Sequence, residues 1–133
     1  MNQNMQKEIK TRSARIWLDE NGIIRIVYLH GSEETLEDAK VNNQAIIHVS
    51  FGKKRPLFVN PEYQRSMSRE ARIYYIEHAS DLTAIAGIVA SPYTKILASF
   101  MLTLNKTISR GKTPIELFTS EKKAIVWLKE FLT

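Results

Sequence analysis

Two stretches near the start of the chain alternate apolar and polar residues with a period of two, which predicts strands over Ser13–Leu18 and Ile23–Leu29. Asp19-Glu20-Asn21-Gly22 lies between them, and Asn-Gly favours the positive φ angles of a tight turn, so the pair reads as a hairpin. The period then changes. Leu36, Ala39, Asn43, Ile46 and Ile47 follow helical spacing, Thr35 and Asp38 are placed as in a capping box, and Gly52 is expected to stop the helix. Pro56–Asn60 is a short apolar strand closed by Pro61, which cannot donate to a ladder. Ser68 caps a second helix with Ala71, Tyr74, Tyr75, His78 and Ala79 on one face.

Leu82–Ala90 is apolar almost without interruption, the pattern of a strand covered on both faces. Ser91-Pro92 opens a third helix, where Tyr93, Ile96, Leu97, Phe100, Met101 and Leu104 form a wide apolar face. A polar loop over Asn105–Thr113 leads to a strand at Ile115–Phe118. Ser120 opens a last helix, with Ala124, Ile125, Trp127, Leu128, Phe131 and Leu132 facing inward. The predicted order is β-β-α-β-α-β-α-β-α. This is an α/β protein with a mixed five-stranded sheet, largely parallel behind an N-terminal hairpin, and four helices packed on it.

Residues 1–12 are mostly polar and read as a flexible tail before a single domain over residues 13–133. The tail lacks the apolar stretch of a signal peptide, and no run approaches the roughly 18–20 residues of a membrane span, so a cytoplasmic protein is expected. The chain has no cysteine, which excludes disulfides and thiolate chemistry. Its net charge of +5 is modest, and the basic clusters are short and scattered (Lys53-Lys54-Arg55; Arg65, Arg69 and Arg72; Lys106, Arg110 and Lys112), so nucleic acid is not the expected partner.

Catalytic chemistry finds little support. His30, His48 and His78 show no metal-ligand spacing, and His78 beside Asp81 suits a histidine capping helix carbonyls better than part of a triad. Glu33-Glu34 and Glu37-Asp38 sit beside a helix N-terminus, where negative charge is stabilised without catalysis. The five glycines are isolated, so no phosphate loop is present. No catalytic residue, metal or cofactor is expected.

The hairpin Ile16-Trp17-Leu18-Asp19-Glu20-Asn21-Gly22-Ile23 and the helix start Thr35-Leu36-Glu37-Asp38-Ala39 carry a family likeness. So do the segments from Leu57-Phe58-Val59-Asn60 through Ser68-Arg69-Glu70-Ala71-Arg72 and the close Leu117-Phe118-Thr119-Ser120-Glu121…Ala124…Trp127-Leu128. With the element order they resemble the STAS superfamily of bacterial anti-sigma-factor antagonists. The likeness is greater to the SpoIIAA-like group of small bacterial proteins, which is similar in fold to the CRAL-TRIO lipid carriers. STAS antagonists carry an aspartate at the end of the corresponding strand and an Asp-Ser-Ser-Gly motif whose serine is phosphorylated. Here Asn60 replaces the aspartate, and Ser68, Arg69 and Glu70 fall at the motif's aspartate and serines, so the phospho-switch does not carry over.

The resemblance implies a non-enzymatic binding or regulatory module whose partner is another protein. The alternative it leaves open is a small carrier of an apolar or lipid-like ligand near the third helix. Two candidate surfaces follow from the residues. Helix N-termini at the C-terminal ends of parallel strands suit anions, which places an anion or acidic-partner site at Ser68, Arg69, Arg72, Ser91 and Thr94. Adjacent tyrosines cannot both face the core, and the third helix is more apolar than one sheet face requires. Tyr74, Tyr75, Phe100 and Met101 are therefore candidates for a groove or a homodimer surface.

Overall fold

The computed structural model describes residues 7–132. Strands β1 (Ile9–Lys10), β2 (Ala14–Leu18) and β3 (Ile24–Tyr28) form an antiparallel ribbon, and a two-residue strand β4 (Glu33–Glu34) leads into helix α1 (Leu36–Ser50). Strand β5 (Arg55–Asn60), the short β6 (Ser66–Met67), helix α2 (Arg69–Glu77) and a 3₁₀ turn at Ala79–Asp81 follow. Strand β7 (Leu82–Ile88), helix α3 (Pro92–Ile108), strand β8 (Ile115–Phe118) and helix α4 (Glu121–Lys129) complete the chain. The main sheet has the order β1-β2-β3-β5-β7-β8, with β3, β5, β7 and β8 parallel. The class and helix count are those the pattern predicts, and β7 has a strand on each side.

Local chemistry explains the element ends. Gly22 takes φ +90° in the hairpin turn, and Asp19 accepts from the backbone N–H groups of Asn21 and Ile23. Thr35 and Asp38 form the full capping box, Ser91 and Thr94 form a second, and Ser68 and Ser120 cap their helices.

The structure differs from expectation in several places. The main sheet has six strands rather than five, because Ile9–Lys10 pairs with β2 (Ile9 opposite Ile16) and Arg15 holds Glu8 at 2.9 Å. The expected tail is thus partly sheet, and residues 1–6 of it lie outside the described residues. Helix α1 ends on Phe51, which takes the left-handed φ of +53° one residue before Gly52. Ile47 is exposed, because the buried stripe runs through Ala39, Asn42, Asn43, Ile46 and Val49 instead. Helix α3 continues through Asn105 to Ile108, since Asn105 is buried and its Nδ2 donates to the Thr113 carbonyl at 3.1 Å. Ile96 and Phe100 turn outward on that helix, and α4 stops before Phe131 and Leu132.

Two cores result. Helices α1, α2 and α3 cover one face of the sheet over Ile16, Ile24, Ile26, Tyr28 and Leu57. Helix α4 covers the other, where Ala124 and Leu128 meet Ile23, Phe58, Ala84 and Ala86. Small residues on β7 let α4 approach closely on that side.

Candidate functional site

The α1–α3 face carries a buried polar cluster centred on Glu34. Strand β4 pairs in parallel with β6, Glu34 opposite Met67, and this draws the Glu34 side chain inward until only 2% of the residue remains exposed. Its Oε2 accepts from the Tyr75 hydroxyl and, at 3.0 Å, from Asn42 Nδ2. Asn42, fully buried on α1, also donates to Ser13 Oγ at 2.9 Å and Tyr75 Oη at 3.1 Å, while its Oδ1 accepts from Thr11 Oγ1. The second oxygen, Glu34 Oε1, is buried with no hydrogen-bond partner among the described residues. Of the four further buried polar atoms without partners among the described residues, Ser32 Oγ, Gln64 Nε2 and Arg72 Nε lie in the loops and helix start at the same end of the sheet, and Thr83 Oγ1 lies on β7.

Burial raises the Glu34 carboxyl above the ordinary value, only partly offset by hydrogen bonds from Ser13, Tyr75 and Asn42. Burial and the neighbouring carboxylate hold the Tyr75 hydroxyl well above its usual range, so Tyr75 is the donor. Burial also pushes Tyr93, whose hydroxyl donates to Gln64 Oε1 at 2.7 Å, up to about 12. Because the folded Glu34 keeps its proton to higher pH than the unfolded chain does, its ionised form penalises the fold. That penalty is absent below the unfolded value near 4.5 and grows as pH rises through the folded value. Glu34→Gln stays neutral, so its stability relative to wild type is expected to be greater at pH 7.5 than at pH 4.5. Urea midpoints at both pH values check this, and a constant difference would refute it. Asp38 does not confuse the comparison. Hydrogen bonds from Arg12 lower its carboxyl, so its contribution is lost only as pH falls below about 3.8.

Beside this cluster, an apolar chamber of about 110 Å³ lies between the sheet and α3. Leu57, Val59, Ile85 and Leu117 form its floor, Leu97 and Met101 its roof, and Tyr75 and His78 one wall. Its origin is a missing side chain. Register places Gly87 between Val59 and Leu117 on the chamber floor, and Ala98 stands above on α3. Left empty, a space of about 110 Å³ costs on the order of 2–3 kcal/mol. A Cβ on Gly87 would meet only Leu117 Cδ2, at 3.5 Å, and Gly87 is not among the glycines with positive φ. Gly87→Ala is therefore expected to stabilise the fold by about 0.5–1 kcal/mol. Thermal unfolding checks this, and a lowered midpoint would contradict it.

A second cleft of about 260 Å³ opens past the end of α1, where Ile24 and Ile47 lie beside Ser50, Lys53, Lys54 and Asp81. It meets the chamber at Asn43, Ile46 and Leu82, which line both.

The residues singled out from sequence fall as follows. Ser68 Oγ accepts from the Ala71 N–H, and Ser91 Oγ accepts from the Thr94 N–H. Thr94 Oγ1 accepts from Ala90 and Ser91 N–H and donates to the Ser91 carbonyl, so these hydroxyls are engaged in capping. Arg72 turns to the Met67 carbonyl at 2.6 Å and lies 4.9 Å above the Phe100 ring, while Arg69 is exposed. Tyr74 stacks on His78 at 4.0 Å, and His78 Nδ1 donates to the Tyr74 carbonyl at 2.8 Å, the expected satisfaction of a helix end. Tyr75 and Met101 line the chamber, and Phe100 is exposed. Sequence reasoning missed Glu34, Asn42 and Asn43. Polar residues interrupting the helical stripe at positions 42 and 43 were the available signal. Among the described residues, no group of three His, Asp or Glu gathers as a metal site. Among the same residues, no helix is long and apolar enough to cross a membrane.

Over residues 16–132 the chain matches the family described as a domain of unknown function, DUF7793, and it belongs to that family. No curated protein matches it significantly. Among solved structures it is similar to an uncharacterized protein of the DUF3478 family with a SpoIIAA-like fold from Shewanella loihica PV-4. The TM-score is 0.58 at 10% identity, covering 92% of this chain and 90% of that one. It is also similar to the anti-sigma factor antagonist SpoIIAA in its unphosphorylated form, with a TM-score of 0.57 at 12% identity, covering 88% of this chain and 98% of that one. The SpoIIAA-like fold expected from the sequence is the fold observed.

Proposed function

We propose that this DUF7793-family chain is a non-enzymatic binding module of regulatory type that works by docking a protein partner. The observation that carries this reading is the surface around Phe100 on α3. Phe100 is 49% exposed beneath the Arg72 guanidinium, and Ile96, four residues earlier on the same face, is 58% exposed. Arg69 stands exposed at the start of α2, the helix against which α3 packs. Aromatic and arginine side chains are the ones that anchor protein interfaces. A partner offering apolar side chains among carboxylates would complement this patch, and a second copy of the chain is one candidate for that role. The likeness to SpoIIAA supports the architecture of such a module, while Asn60, Arg69 and Glu70 argue against the antagonists' phospho-switch.

Native mass spectrometry of the chain, gently purified from the cells that produce it, tests the reading. The expected result is a dimer or a complex with a second protein that is lost in Phe100→Glu. A chain that is only ever monomeric, bare or carrying just a small molecule, would contradict it. The second reading, a carrier of an apolar ligand, is favoured by the chamber beneath α3.

A further inference from the structure

The chamber is largely apolar, the cleft beside it mixes isoleucines with charged groups, and the two meet at one polar side chain. Asn43 lines both, is only 8% exposed, and its amide has no hydrogen-bond partner among the described residues. The N–H groups of that amide are available to an acceptor bound where chamber and cleft join. Inward from Asn43 the walls are aliphatic, running along the sheet under α3 past Ile85 towards Val59. Outward lie Ser50 and Lys54, with Lys53 and the single carboxylate of Asp81.

We propose that this space is a binding site for a medium-chain carboxylate. The alkyl tail fills the chamber over Gly87 and under Ala98. The carboxylate accepts from the Asn43 amide and faces Lys54 at the mouth. Chamber and cleft together reach the lower end of the roughly 300–1,000 Å³ usual for small-molecule sites. Entry is from the end of α1, at the amino ends of β5 and β7, rather than at the carboxyl ends where α/β sheets commonly hold ligands. The proposal rests on the carrier reading and is independent of the patch around Phe100, so either can fail alone.

The test is a titration of the ¹⁵N-labelled chain with sodium decanoate below its micellar concentration, beside 1-decanol and sodium butyrate. Decanoate should bind one to one and shift the amides of Asn43, Leu82 and Ala98, and butyrate should bind at least tenfold more weakly. Ala98→Phe, which fills the chamber, should weaken decanoate binding at least tenfold. Lys54→Glu alters only an exposed loop residue and leaves the fold intact. It should weaken decanoate severalfold and leave decanol unchanged. The proposal is overturned if decanoate does not bind in the micromolar to low millimolar range. It is equally overturned if Lys54→Glu and Ala98→Phe both bind like wild type, or if decanol binds as well as decanoate.

Discussion

Asn42→Ala is expected to lower the unfolding free energy by about 3 kcal/mol, the largest loss of any polar substitution in the chain. Asn42 is fully buried and is the hub that Thr11, Ser13, Glu34 and Tyr75 share. Truncation removes a hydrogen bond to a buried carboxylate whose other oxygen already lacks a partner. It also leaves the Thr11 and Ser13 hydroxyls without their α1 contact. The melting temperature should fall on the order of 10 °C. Chemical denaturation at pH 7 checks the figure. A loss below about 1 kcal/mol would mean that the cluster is wetter and looser than its burial implies.

Phe58→Ala should cost about 3–5 kcal/mol, for a reason on the opposite face. Phe58 is the largest fully buried side chain among the described residues, packed with Ile23 and Leu128 under α4. The Arg25 guanidinium lies 5.3 Å from its ring, held at 2.9 Å by Asp19 and at 2.8 Å by Glu121. Phe58 shares no hydrogen-bond or packing partner with Asn42, so the double variant should be additive within about 0.5 kcal/mol. A strong coupling between the two would mean that the cores do not respond independently.

What the sequence made legible was whatever is decided locally. The Asn21-Gly22 turn, the Thr35, Ser68, Ser91 and Ser120 caps and the apolar run of β7 all depend on residues within a few positions of one another, and they stand where the pattern put them. Glu34 was not legible, because nothing near Glu33-Glu34 signals burial. That depends on pairing with Ser66–Met67 and on Asn42 and Tyr75 from two separate helices. The chamber was invisible for a related reason. It exists because Gly87 has no side chain and Ala98 only a methyl group, and periodicity records the large side chains that are present. The outward turn of Phe100 was half legible. An over-wide apolar stripe on α3 was apparent, but which residues would leave the core depended on how α3 sits against α2.

The central claim is that α3 presents a working surface while α4 serves the fold. A photo-crosslinking amino acid placed at position 100, and separately at the exposed Val126 of α4, tests this in the producing cell. The account predicts one discrete protein adduct from position 100 and none from position 126. The same adduct from both positions, or none from position 100, would contradict it.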